Sequence, residues 1–318
     1  MSAAGNVKAG RAYVEILLDQ TKLEKGLKRA QTQLKNFSAS LTNLGKSLLS
    51  IGAVLSAPMA IATKTFASFD DEMRTVKAVT GAVGEEFKSL TALAEKLGRE
   101  TSFTAKEVAS GMTALGRMGF KPKEIEAAIP AVLNLARATG TELSEAAEIA
   151  SNNMRVFRLD ASQTTGIADI LTATANGSAQ TLTDLGEAFK MAGPQAAAAG
   201  DNITNVAGAL GILANMGIRG SLAGTALRKS YSQFAKIKVQ DKLKAIGIAT
   251  VDANGNLRAM PDIMADIAKS MNAMPSAERL TFAEEIFDLR GSLAGLQLGG
   301  NIKDLEAFIQ ALQNARVP

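Results

Sequence analysis

Cysteine, histidine and tryptophan are all absent from the 318 residues, and aromatic residues make up only 4%. Without cysteine there are no disulfides, thiolate nucleophiles or thiolate-bound zinc. Without histidine the imidazole base and the commonest neutral metal ligand go too. Most arrangements of nucleophilic, acid–base or metal catalysis cannot be assembled from such a chain, so neither an enzyme nor a metal or other cofactor is expected. Redox compartment stays open, because a chain without cysteine is indifferent to it. The scarcity of large aromatics argues against a sandwich core, and the abundance of Ala, Leu, Lys, Glu and Met favours helices. Twenty-eight glycines and seven prolines divide those helices into many short ones.

Long apolar runs are missing as well. The first 25 residues alternate charge and hold no apolar stretch ahead of a small-residue cleavage site, so a secretory signal is not expected. The best membrane candidate is Ser47 to Thr63, 17 uncharged residues rich in Ala and Ser that include Gly52 and Pro58. A span needs ~20 predominantly apolar residues, so a packed helix is the preferred reading and transient membrane contact the second. The net charge of +4 is unevenly placed: residues 1–64 hold nine Lys/Arg against three Asp/Glu, leaving −2 for the remainder. With no aromatics interleaved for base stacking, this basic arm reads as a solvated helix face, and its contact with DNA is left undecided.

What is present is helical periodicity. Residues 12–19 (AYVEILLD) predict one short strand. Asp19 or Thr21 then caps a helix with apolar residues at Leu23, Leu27, Ala30, Leu34, Phe37, Leu41, Leu44, Leu48, Ile51 and Leu55. The steps alternate four and three throughout, a heptad seam that a lone helix cannot bury. It asks for sister copies in a parallel coiled coil or for another helix of the same chain. Pro58 ends or kinks it, and Phe66, Phe69, Met73 and Val76 resume the spacing until Gly81 and Gly84.

Beyond Gly84 the predicted helices are short and punctuated. Glu85–Leu97 carries acids in its first turn and Gly98 as a left-handed end. Thr104 to Glu107 is a capping box for a helix reaching Met118, and Pro122 opens one that buries Ile125, Ile129, Val132, Leu133 and Ala136 before Gly140. Ser144, Asp184 and Thr204 head further helices, and the loose similarity of the segments at Gly98, Gly140 and Gly200 suggests αα-hairpins packed side by side. Residues 248–260 predict a β-hairpin turning at Asn254-Gly255, with Asp252 and Asn254 as turn residues rather than calcium ligands. Helices from Pro261, from about Pro275 to Leu289 and from about Asp304 to Asn314 complete the chain. The expected fold is all-α: a long coiled-coil-like arm over residues 1–66, then a compact body of αα-hairpins with one small β-hairpin over 67–318.

Two features invite a chemical reading. The stretch Gly217 to Arg228 is rich in glycine, but no Lys follows its last glycine and no strand precedes it, so neither phosphate-binding fingerprint is met. Gly217, Gly220, Gly224 and Arg228 are instead assigned to close helix packing, with Arg219 beside them on the surface. The carboxylate pairs Asp70-Asp71-Glu72, Glu85-Glu86 and Glu284-Glu285 are the remaining catalytic candidates. Neighbours on a helix point about 100° apart and share no cleft, so cell-wall cleavage is the weakest reading.

Several strings occur in a familiar order: FDDEMRTVKAV from Phe69, LGRETSFTAKEVA from Leu97, GIRGSLAGTALRKS from Gly217 and IFDLRGSLAGLQL from Ile286, with LKAIGI and VDANGN between the last two. Together they resemble the core region of phage tail tape measure proteins, and LDQTKLEKGLKRAQ resembles that family's start. The resemblance implies a structural role: several copies in the tail lumen, setting tail length during tube polymerisation and leaving ahead of the DNA. It implies a small parallel oligomer, with the tail tube, the tip or baseplate and assembly chaperones as partners. The implied location is the virion, with the host cytoplasm before assembly. Family members are usually much longer, with an extended helical ruler. The alternative from another class is a membrane-perturbing protein that uses residues 38–66 to assist genome delivery.

Overall fold

A computed structural model describes residues 56–315, with side chains from Phe66 onward. The predicted strand at 12–19 and the seam from Leu23 to Leu55 lie outside the described residues. Those described form fourteen α-helices and no strand. In order they are α1 (Ser56–Thr80), α2 (Glu85–Glu100), α3 (Ala105–Arg117), α4 (Pro122–Thr139), α5 (Leu143–Val156), α6 (Thr164–Asn176) and α7 (Leu182–Ala198). Then follow α8 (Ile203–Asn215), α9 (Gly220–Phe234), α10 (Ile237–Ala245), α11 (Met260–Asn272), α12 (Ser276–Phe287), α13 (Leu289–Gly300) and α14 (Ile302–Gln313). The description below concerns the unit Ala67–Pro318.

The local signals explain most boundaries. The capping box forms at α3, where Thr104 Oγ1 accepts the Glu107 amide at 3.2 Å and Glu107 Oε2 accepts the Thr104 amide at 2.6 Å. A second opens α7 between Thr181 and Asp184, so Asp184 sits in the first turn rather than ahead of the helix. Asn202 caps α8 by accepting the Asn205 amide at 2.9 Å. Gly140 takes a left-handed φ of 66° at the end of α4. Pro58 lies in the first turn of α1, and the seam ahead of it, which it is expected to end or kink, lies outside the described residues. Two expectations are corrected. Gly98 does not cap α2 but lies inside it, where a Cβ would meet the Ala105 backbone, and Thr101 is the C-cap. The helix predicted through Leu289 stops at Phe287, because Asp288 at φ 67° turns the chain into α13. Where the β-hairpin is predicted, one antiparallel bridge joins Val251 to Leu257. Asp252 does serve the turn, accepting the Asn254 and Asn256 amides at 2.9 and 2.8 Å.

From α2 to α9 each helix packs on its neighbour and on the next but one. Helices α3, α5, α7 and α9 make one row and α4, α6 and α8 the other, while α13 and α14 return against α9 and α8. The α5 and α7 helices run parallel: Thr183 bonds Glu145 at 2.7 Å, Gly186 lies over Ile149 and Gly193 over Val156. Phe69, Met73 and Val76 of α1 are buried, as the resumed spacing predicts, while Phe66 is exposed. With few aromatics the core is filled by Ala, Leu, Ile and Met, each large side chain contributing about 1.5–3 kcal/mol on burial. Phe234 and Phe287 meet edge to face at 5.6 Å, joining α9 to α12.

One buried carboxylate joins three helices. The αL turn at Gly200 lets the Asp201 amide bond Ala196 O, which turns the Asp201 side chain inward. Its Oδ2 accepts the Tyr231 hydroxyl of α9 at 2.7 Å and the Met260 amide at the start of α11 at 2.9 Å. Its Oδ1 accepts the Asn205 side-chain amide at 2.7 Å and the Asn202 backbone amide at 2.9 Å, both at the start of α8. Four donors and two helix N-termini satisfy the charge.

Burial, and after it the charge and hydrogen bond of Asp201, hold the Tyr231 hydroxyl well above its ordinary value of 10.0. The neutral form is therefore the folded one. Its stabilisation is complete below about pH 10 and is lost as pH rises through the higher folded value. In a Tyr13→Phe background, which leaves one of the two tyrosines, tyrosinate absorbance should stay flat through pH 10 and rise only as helical ellipticity is lost. Asp201→Ala should cost about 3–5 kcal/mol in denaturant unfolding, since three buried donors lose their acceptor at ~1–3 kcal/mol each.

Candidate interaction surface

The described residues assemble little that could act chemically. Asp70 pairs with Arg74 at 2.9 Å, Glu72 accepts from Thr113 at 2.9 Å and Glu285 pairs with Lys242 at 2.8 Å, so the acidic clusters are engaged singly on helix surfaces. A hollow of about 560 Å³ lies beside Phe157, Arg158, Pro194 and Asp201, and both oxygens of its one carboxylate are already occupied. Among the described residues no cluster of three or more metal-ligating side chains occurs, and no helix is long and apolar enough to cross a membrane. Residues 47–55 of the membrane candidate lie outside them.

The glycine-rich stretch divides into two roles. Gly217 (φ 81°) turns the chain out of α8, and Gly220 (φ 60°) opens α9, both in the left-handed region that disfavours a Cβ. Only Gly224 is a close approach: a Cβ there would stand 2.8 Å from Ala188 Cα and from Met191 Cβ, and nearer still to Ala188 O. It seats α9 on α7. Arg228 is exposed, and Arg219 Nη1 reaches Ala179 O at 3.3 Å.

The hexapeptide Arg-Gly-Ser-Leu-Ala-Gly occurs twice, at 219–224 and at 290–295. Each copy stands at the start of a helix, α9 or α13, and these two helices pack on each other. Each turns both glycines and the alanine inward and the arginine and leucine outward. Gly224 seats on Ala188, and Gly295 on the ring of Phe287. Leu222 is 62% exposed and Leu293 53%, and Leu289, one turn before Leu293, is 73% exposed. Ile237 of α10 is likewise 73% exposed between Lys236 and Lys238. Residues 217–247 hold seven Lys/Arg against one Asp, a cluster that the summed charge of the remainder conceals.

Stacked helices thus present outward leucines and, among the described residues, unpaired basic side chains. Residues 91–288 match the phage-related minor tail proteins, and the chain belongs to that family. It is 33% identical to the tape measure protein of Pneumococcus phage Dp-1 over 261 residues, 80% of this chain and 22% of that protein. It is 28% identical to the probable tape measure protein of Escherichia phage P2 over 293 residues, 90% of this chain and 36% of that protein. The chain thus spans between 22% and 36% of the length of these relatives. No solved structure matches it. The resemblance read from the ordered strings holds.

Gly224→Ala should destabilise the fold by about 1–3 kcal/mol or more, because backbone and not a pliable side chain blocks the new methyl. Gly166→Ala, on an open face of α6 with nothing within 4 Å, should stabilise it by about 0.5–1 kcal/mol. Midpoints of urea unfolding at constant slope compare the two.

Proposed function

We propose that this chain is a structural part of a phage tail that acts in tape measure assembly: an arm, residues 1–66, and a helical body, residues 67–318. The observation that carries the reading is alignment over 80% and 90% of its length with two proteins named as tape measures. The arm's heptad seam supports self-association into a small parallel oligomer, and parallel helices at ~1.5 Å per residue convert chain length into distance. The place of action is the tail lumen, where the chain meets the tube, the tip or baseplate and the assembly chaperone. The role is structural rather than catalytic, and it contributes to tail length.

Particles assembled without this polypeptide should lack tails or carry tails of altered length in electron micrographs, with recovery on complementation. Tails of ordinary length and number would sink the reading. In sedimentation equilibrium of the whole chain, Leu34→Asp combined with Leu41→Asp should shift the oligomer towards monomer, and an unchanged mass would remove the coiled-coil role of the seam.

A further inference from the structure

The outward faces of α9, α10 and α13 are not explained by the body's own packing. Glycine and alanine meet the inward needs of both hexapeptides, so nothing inside the fold calls for Leu222, Leu289 or Leu293 at the surface. Exposed leucines on two helices that pack on each other, with Arg219, Arg228 and Arg290 exposed on the same helices or at their starts and Asp288 next to Leu289, have the composition of a protein-binding patch. Arg219, Arg228, Lys236 and Arg290 are exposed and form no ion pair among the described residues.

The charge these residues lack is present elsewhere on the same body. Residues 67–216 hold 18 Asp/Glu against 13 Lys/Arg. Between Ala67 and Asn215, Val83 is the one exposed large apolar side chain among the described residues, at 64%. It stands in the turn before α2, beside exposed Glu85 and Glu86. The α2 helix packs on α3 and α4, whereas α9 and α13 lie at the other end of the stacking order. One end therefore offers an apolar residue beside two glutamates, Glu85 paired with Lys88 at 2.8 Å and Glu86 without an ion pair among the described residues, and the other offers apolar residues near unpaired arginines.

We propose that the α9–α13 face docks a second copy of this chain, which meets it with the acidic edge around Val83, Glu85 and Glu86. Such a contact is heterologous: unlike surfaces meet, and every copy in the series keeps the same polarity. Charge complementarity favours it over an isologous pairing, which would set arginine against arginine. A nucleic acid or an anionic membrane would use the basic side chains. A nucleic acid would leave the leucines without a partner, and either would leave the acidic edge without a role. The inference is independent of the seam in the arm.

The absence of cysteine makes the test direct, since any introduced thiol is unique. Val83→Cys and Leu293→Cys chains, mixed and oxidised at low salt, should form a disulfide dimer at least tenfold more readily than either chain alone. Arg219→Glu with Arg290→Glu in the Leu293→Cys chain should lower the yield at least tenfold. Glu85→Lys with Glu86→Lys in the Val83→Cys chain should restore it. All these positions are exposed, and circular dichroism confirms that each variant is folded. The mixed cross-link should persist with Leu34→Asp and Leu41→Asp present, which separates this contact from the arm's. No mixed dimer, or equal cross-linking by Leu293→Cys alone, overturns the proposal. So does a surface that fails to cross-link but binds duplex DNA or phosphatidylserine vesicles through Arg219 and Arg290.

Discussion

The Asp201 carboxylate constrains the second half of the body. A buried charge without donors costs several kcal/mol, so the fold must bring Tyr231, Asn205 and the start of α11 to it together. Satisfying it sets the angle between α8 and α9 and places the irregular segment 246–259, which has no helix of its own to guide it. Apolar packing supplies most of the stabilisation but tolerates sliding, whereas a carboxylate with four directional partners accepts few arrangements. The Phe234–Phe287 contact and the Gly224 seat on Ala188 then hold α9 against its other neighbours.

How far this architecture could be read from the sequence depended on how local its causes are. The capping box at Thr104, the first-turn Pro122 and the left-handed Gly140 each act within a few residues, and each appears where the sequence predicts it. The burial of Phe69, Met73 and Val76 follows from helical spacing, although Phe66 in the same register is exposed. Asp201 was missed because its partners lie up to 59 residues away and nothing beside it in the chain announces them. Gly98 was misread for a related reason: a glycine that ends a helix and one that admits a neighbouring backbone look alike until the neighbour is placed. The strand propensity of residues 248–260 yielded a single bridge, since no further strand among the described residues extends it.

The interaction face was hidden in a different way. Both hexapeptides lie within the strings that carry the family resemblance, yet their identity shows only when one is laid on the other, and their meaning only when burial separates the inward Gly and Ala from the outward Arg and Leu. Charge summed over long segments concealed the cluster at 217–247. A running charge count in windows of about one helical hairpin would have exposed it. The roles of Gly217, Gly220 and Gly224 likewise separate only with backbone angles in hand, two for conformation and one for proximity.

The stacking of each helix on the next but one has a mechanical consequence. Most long-range contacts in the first half of the body join segments some 35 to 40 residues apart, as in Thr183 with Glu145, so each hairpin leans mainly on the one before it. Pulled from its leading end, such a body would peel hairpin by hairpin, extending in steps at modest force and not rupturing at once. The region tied to Asp201 would yield last and as a block.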